Sequence, residues 1–243
     1  MHQVFENRAE AGRQLAERLT AYGGQSGVLV LGLPRGGVPV AFEVAMALGL
    51  PLDVFTARKV GVPGHEELAM GAVATGGVRV LNEQIVNAFA VRAPELERRI
   101  RDADDEVRSG ELRFRGDRPP VDVHGSTVIL VDDGIATGAT VRAAVMALRA
   151  QGARRVVVAS PVAAMDSAAD VTHVADETVI VRTPPQFIAV GAWYREFDQL
   201  EDAEVRALLE QAAARLPEEW RHAAHRHSHS GLGKLIHGSV RPE

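Results

Sequence analysis

Two adjacent aspartates, Asp132 and Asp133, end a run of aliphatic residues, Val128, Ile129, Leu130 and Val131, and are followed at once by Gly-Ile-Ala-Thr-Gly-Ala-Thr. Neighbouring carboxylates at the end of an apolar run resist ionising together unless something uses their charge. A vicinal diol would use it, because it needs acceptor oxygens at two nearby points. The small and hydroxyl residues behind the pair suit a second task. Such a turn lets backbone N–H groups approach an anion closely, and a helix starting there adds its dipole. Thr137 and Thr140 can add hydroxyl donors to the same anion. A diol acceptor beside a phosphate cradle describes a ribose 5-phosphate site. An exposed turn after a strand would account for a lone Asp-Asp-Gly, but not for the whole string. The turn is neither a P-loop, since no Lys stands before its Thr, nor a dinucleotide Gly-x-Gly-x-x-Gly fingerprint.

These residues need a scaffold, and the pattern around them predicts one. Asn7 is placed to cap a helix over 7–22, with Leu15 and Leu19 on one face, and Gly23-Gly24 ends it. Residues 28–33 read as a continuously apolar strand of the kind buried on both faces of a parallel sheet. A helix over 39–49 follows, with Val40, Val44, Ala47 and Leu48 as its stripe, and then a second strand over 52–60. Residues 61–82 are glycine-rich and predict a loop and then a hairpin turning at Gly76-Gly77. Helices are expected over 83–90 and from Pro94, the latter turning Leu96, Ile100, Ala103 and Val107 inward. Strands at 126–133, 154–160 and 177–183 alternate with helices at 139–152 and 163–170, and a final helix spans 202–216. Strands alternating with helices predict an α/β fold with a mostly parallel central sheet flanked by helices.

The 243 residues allow one substantial domain, here 1–216, and a polar tail, 217–243. A net charge of -5 argues against chain-wide attraction to nucleic acid. The absence of cysteine excludes disulfides, thiolate metal sites and a cysteine nucleophile. The charged N-terminus has no signal-type apolar core, and no uncharged run approaches the roughly 20 residues that cross a bilayer. The expectation is a soluble cytoplasmic protein without membrane partners. The tail carries His222, His225, His227, His229 and His237, which could bind Zn2+ or Ni2+ but lack a carboxylate or glycine framework that fixes geometry. A loosely held tail is the reading preferred.

The stretch Val-Ile-Leu-Val-Asp-Asp-Gly-Ile-Ala-Thr-Gly-Ala-Thr resembles the 5-phosphoribosyl-1-pyrophosphate (PRPP) motif of type I phosphoribosyltransferases. The resemblance implies that fold, with a small hood, and assigns Asp132 and Asp133 to the ribose hydroxyls. It assigns Ala136, Thr137, Gly138, Ala139 and Thr140 to the 5-phosphate. The pyrophosphate then needs a second anion site. Gly-Leu-Pro-Arg-Gly-Gly-Val, at 32–38, resembles the pyrophosphate loop of xanthine-type members: Gly36 and Gly37 open the backbone and Arg35 can bind phosphate bidentately. Taken alone, that segment reads equally as a tight strand–helix connection with a surface arginine. Such loops carry a cis peptide, expected here at Pro34–Arg35. Arg58 and Lys59 lead into the place of the family's mobile loop, which closes over PRPP and excludes water, and are candidates for pyrophosphate contact. Arg35, Lys59 and Glu66 are the catalytic candidates, Glu66 or Glu67 as proton donor or metal-side carboxylate, although a solvated Glu-Glu pair and a surface His65 are the plainer readings. Residues 184–200 resemble the hood of hypoxanthine- and xanthine-type members. Phe187 is the base-stacking candidate, with Trp193 and Tyr194 next, and closure of the core by these aromatics is an equal alternative.

The resemblance covers about 28–198 and implies displacement of pyrophosphate from C1 of PRPP by a nitrogenous, purine-like base, in nucleotide salvage. Mg2+ is the implied cofactor, held mostly by substrate oxygens and water, with Asp132 and Asp133 able to contribute. Many relatives are dimers or tetramers, so a homo-oligomer is compatible. One residue departs from the pattern. Ala136 stands where 6-oxopurine enzymes carry an aspartate beside the base's N7, so the acceptor is left open. The same alanine keeps alive a non-enzymatic PRPP- or nucleotide-sensing regulator, and hydrolysis with water as acceptor is a third reading.

Overall fold

A computed structural model describes residues 4–116 and 118–215 of the chain, so the His-rich tail lies outside the described residues. Its element order is α1 (Arg8–Arg18), β1 (Val28–Gly32), α2 (Gly37–Leu48), β2 (Leu52–Val54), β3 (Ala57–Val62), β4 (His65–Ala74), β5 (Val78–Leu81), α3 (Glu83–Ala88), α4 (Ala93–Arg115), β6 (Thr127–Val131), α5 (Ala139–Ala150), β7 (Arg155–Val162), α6 (Met165–Val174), β8 (Glu177–Arg182) and α7 (Asp202–Arg215). Five strands form a parallel sheet in the order β2-β1-β6-β7-β8. The expected α/β class with a parallel centre is what the chain adopts.

Strand alternation builds the core on both faces of this sheet. Val28 and Val30 of β1, with Ile129 and Val131 of β6, pack against Leu15 and Leu19 and against Val40, Val44 and Leu48 of α2. Leu29, Leu31, Val128 and Leu130 face the other way, toward Val141, Val145 and Leu148 of α5. Each fully buried aliphatic of this kind contributes about 1.5–3 kcal/mol. Helix α1 starts where expected, the Asn7 side chain accepting from the Glu10 N–H at 3.0 Å. Helix α2 begins at Gly37, ahead of the expected Pro39, and buries Ala45 while Ala47 is exposed.

Two expectations between 52 and 82 need correction. The single strand over 52–60 is two strands in different sheets: β2 joins the parallel sheet, and β3 pairs antiparallel with β4. The break falls at Phe55 and Thr56. Phe55 N–H bonds to Gly32 O, while the N–H of Thr56 donates to Thr75 Oγ1 at 2.9 Å and its carbonyl accepts from Thr75 N–H at 2.8 Å. Residues 65–70, expected as loop, belong to β4, whose first residues are solvent-exposed and so show no apolar pattern. The hairpin turn at Gly76-Gly77 stands, closing β4 onto β5. This second sheet has its own core, Val60, Val62, Met70 and Val73 against Ala103 and Val107 of α4. Leu96 and Ile100 flank it as expected. No helix among the described residues is long and apolar enough to cross a membrane.

Candidate active site

Chain direction along the parallel sheet fixes where a ligand can sit. From β1 the chain runs through α2 to β2 on one side, and from β6 through α5 to β7 on the other. Helices α2 and α5 lie on opposite faces, so a crevice opens between the ends of β1 and β6. Two loops meet there: residues 33–36 after β1 and 132–138 after β6.

Both loops lead straight into helix N-termini that lack a side-chain cap. Gly36 caps α2 and Gly138 caps α5. At α5 the first-turn N–H groups have no intrahelical acceptor and favour anions. At α2, by contrast, the N–H groups of Gly37 and Val38 donate to Leu33 O and Arg35 O and Pro39 has none, so that loop offers Arg35 and the open backbone at Gly36. Gly138 has φ +69°, which a residue with a Cβ adopts at a cost. Before it, Thr137 Oγ1 receives only a long 3.4 Å approach from Ala139 N–H. Ala136 is exposed, and its carbonyl accepts from the Ser167 hydroxyl. Residues 136–140 thus form the expected open turn into a helix. The Pro34–Arg35 peptide is cis, as the resemblance implied.

The loops touch through the acidic pair. A Cβ on Gly36 would lie 1.9 Å from Asp133 Oδ2, and one on Gly37 would lie 2.9 Å from Asp132 Cα. Any side chain at 36 would push the carboxylate aside, so glycine there is a condition of this contact. The Asp133 N–H donates to Asp132 Oδ1 at 3.0 Å, and the Tyr194 hydroxyl donates to Asp133 O. Burial, and then the charge of Asp133, hold the Asp132 carboxyl well above the ordinary carboxylate range. Asp133 is also raised by burial, and its hydrogen bond from Arg8 works against that rise. Burial and the nearby Asp133 charge raise the Tyr194 phenol, which keeps it a donor.

Arg8 was invisible to sequence reasoning. Its Nε donates to Asp133 Oδ2 at 2.9 Å, its Nη1 donates to Asp198 O at 3.0 Å, and its guanidinium lies 3.9 Å from the centre of the Phe197 ring. No local pattern signals a contact spanning 125 positions. Arg8 therefore fastens the first helix and residues 197–198 to the acidic pair.

Arg35, the other expected anchor, is beside the pair but engaged by the C-terminal region. Its Nε lies 2.8 Å from Asp202 Oδ1, and its Nη1 donates to Leu200 O at 3.3 Å. A cavity of about 490 Å3 opens here, lined by Arg8, Arg35, Gly36, Arg58, Arg113 and Phe197 among others.

Of the remaining expected residues, Arg58 borders this cavity and the others lie elsewhere. Lys59 Nζ pairs with Glu67 at 2.8 Å, and Arg58 Nε with Glu106 at 2.7 Å. Glu66 receives two bonds from Arg99, at 2.7 and 3.0 Å. That hydrogen bonding is the chief cause holding its carboxyl below the usual range. Lys59 and Glu66 line a separate cavity of about 300 Å3 between β3, β4 and α4, which Arg58 also borders. In the 184–200 segment, Trp193 is 8% exposed and packs with Phe5, Ala11 and Val162. Its indole is taken up by the core, which leaves Phe187, half-buried at the edge of that cluster, as the stacking candidate. Phe197, in the same segment, lines the crevice cavity, as does Phe114 of α4.

Comparison with known proteins identifies the family. Residues 2–191 match the family model described as the phosphoribosyl transferase domain. Two Mycobacterium tuberculosis proteins, Rv0571c and MT0597, both carrying a provisional phosphoribosyl transferase name, are each 48% identical over 209 residues. The alignment takes in 86% of this chain and 47% of theirs, so the chain spans about half the length of the curated relatives it matches. The crystal structure of TT1426 from Thermus thermophilus superposes with a TM-score of 0.79 at 44% identity, covering 86% of this chain and 98% of that one. With the family model matching residues 2–191, the crevice loops included, the chain belongs to the phosphoribosyltransferase family.

Proposed function

We propose that the chain binds PRPP with Mg2+ and transfers its 5-phosphoribosyl group to a nitrogenous, purine-like base in the cytoplasm, releasing pyrophosphate. The observation that carries this reading is the contact between Gly36 and Asp133. It supports this reading because the helix start at 138–140 and the Arg35–Gly36 loop then flank the two carboxylates, as a sugar with phosphate at one end and diphosphate at the other would require.

In this reading Asp132 and Asp133 accept from the ribose hydroxyls, and residues 136–140 hold the 5-phosphate. Arg35 binds the diphosphate, with Gly36 offering close backbone approach. The Gly37 N–H already donates to Leu33 O, so Gly37 contributes by lacking a side chain. The base nitrogen attacks C1, the bond from C1 to the diphosphate oxygen breaks, and the electron pair leaves with pyrophosphate. The protein's part is to align the reactants and stabilise the departing charge. Arg58 and Lys59 stand on the hairpin whose closure would exclude water. Phe187 is the group offered for stacking on the base.

The residues suit Mg2+ in the mode the family implies. Asp132 and Asp133 are partly buried, neighbouring carboxylates whose ionisation a divalent cation would favour. When bound, Mg2+ supplies charge neutralisation to the diphosphate.

Exposed Ala136 favours one second reading, a PRPP- or nucleotide-sensing regulator without turnover. Single-turnover release of pyrophosphate from PRPP across a panel of bases tests both. Base-dependent release is the expected result. Absence of release with every base would overturn the transferase reading in favour of the regulator.

A further inference from the structure

The 490 Å3 cavity beside Asp133 is lined by four arginines, Arg8, Arg35, Arg58 and Arg113, and only one acid, Asp198, among its lining residues. Arg8 is matched by Asp133 and Arg58 by Glu106. Arg35 and Arg113 share a single carboxylate. Asp202, the first residue of α7, lies with Oδ1 2.8 Å from Arg35 Nε and Oδ2 3.9 Å from Arg113 Nε. One carboxylate thus serves two guanidiniums, the farther of them, Arg113, at 3.9 Å. Despite its short approach, Oδ1 makes no aligned hydrogen bond, so charge rather than direction holds it.

A second observation points into the same cavity. Thr56 lines it and is 1% exposed, and its Oγ1 is buried with no hydrogen-bond partner among the described residues. A buried hydroxyl left without a partner is costly, so a ligand oxygen that reaches it would be favoured. Its backbone is fixed through Thr75, so a turn of χ1 would exchange methyl and hydroxyl without moving the chain. Arg113 also stands on a fixed support. Two residues further along α4, Arg115 is 5% exposed and bonded to Asp53 and to Val54 O, while the Arg113 carbonyl accepts from Arg206 at 2.9 Å.

We infer that Arg113 and the Thr56 hydroxyl are diphosphate-binding groups that complete the cradle begun by Arg35, and that Asp202 is the internal anion the diphosphate displaces. This rests on the PRPP reading and adds to it two binding residues and a competitor. A diphosphate offers several non-bridging oxygens to two guanidinium forks, where Asp202 offers two to both. The displaced carboxylate is not stranded, because it stays at the N-terminal turn of α7.

The test is calorimetric titration of the full chain with inorganic pyrophosphate at fixed ionic strength. Arg113→Gln should weaken binding about tenfold or more, the loss expected for a charge-assisted hydrogen bond, with Arg113→Lys between it and the parent. Thr56→Val should weaken binding while leaving the melting temperature equal or higher, an outcome a merely structural threonine would not give. Asp202→Asn should tighten binding severalfold. Unchanged affinity in Arg113→Gln, equal or weaker affinity in Asp202→Asn, or no pyrophosphate binding by the parent would overturn the inference. If the variants respond as stated and PRPP is not turned over with any base, the cradle stands and the transferase reading falls. If base-dependent turnover occurs and Arg113→Gln binds pyrophosphate like the parent, the reverse holds.

Discussion

The turn after β6 and the hairpin of β3 and β4 both present charged residues near the crevice, yet they use them in opposite ways. At the turn, Asp132 and Asp133 are pressed together in a partly buried place with a single arginine between them and the rest of the protein. In the hairpin, Arg58, Lys59 and Glu66 are each matched by an opposite charge from a neighbouring element or strand. The first arrangement is electrostatically unfinished and asks for a ligand. The second is finished, partly solvated, and worth little in stability, since exposed pairs of this kind contribute about 0–1 kcal/mol. Motif residues left uncompensated by the fold are stronger evidence of a site than motif residues that the fold has neutralised.

That contrast breaks first at the acidic pair. Asp132→Asn with Asp133→Asn should remove PRPP affinity by about 100-fold or more, since two acceptors for charge-assisted bonds are lost, each typically ~1.5–3 kcal/mol. Titration with the fold checked by circular dichroism measures it, and retained affinity would show that the pair is not the sugar site.

A smaller effect concerns stability. A carboxyl whose folded pKa lies above its unfolded value binds its proton more tightly in the folded state. The contribution of Asp132 to stability is therefore present in acid and lost as pH rises from the ordinary carboxylate range through the raised value. Asp132→Asn alone, which keeps an acceptor for the Asp133 N–H, should flatten that slope. It should also raise the neutral-pH melting temperature by about 2–4 °C, the shift ~1 kcal/mol produces in a chain of this size. A melting temperature lower than that of the parent across neutral pH would contradict the account of this carboxylate.

The smallest effect is expected in the hairpin. Glu66→Gln should change turnover by less than about threefold and leave its pH profile in place, because this carboxylate is already ionised and paired with Arg99. A lost basic or acidic limb in the pH–rate profile would assign a proton-transfer role to it.

The same contrast explains what the sequence could reveal. The turn was legible because its chemistry is local: apolar strand, two acids, small residues and a helix follow one another along the chain. The sheet was legible because strands buried on both faces, such as 28–32 and 127–131, are buried at every position. The break at Phe55 and Thr56 was not, since it depends on Gly32 and Thr75, which choose different sheets for consecutive residues. The start of β4 was hidden by exposure, which leaves His65, Glu66 and Glu67 without an alternating pattern. Arg8 and Asp202 are ordinary surface residues in a one-dimensional reading. Only the packing of α1 and α7 against the crevice gives them partners.

In the proposed reading, sugar and phosphates occupy the crevice between β1 and β6 and not the cavity under the hairpin. Backbone amide NMR during titration with PRPP and Mg2+ tests it most directly, because each candidate region carries its own amides. The largest shifts are expected at Gly36, Asp133 and the amides of 138–141. Shifts centred instead on Gly61, Glu66 and Arg99, with those of 138–141 unmoved, would contradict that reading.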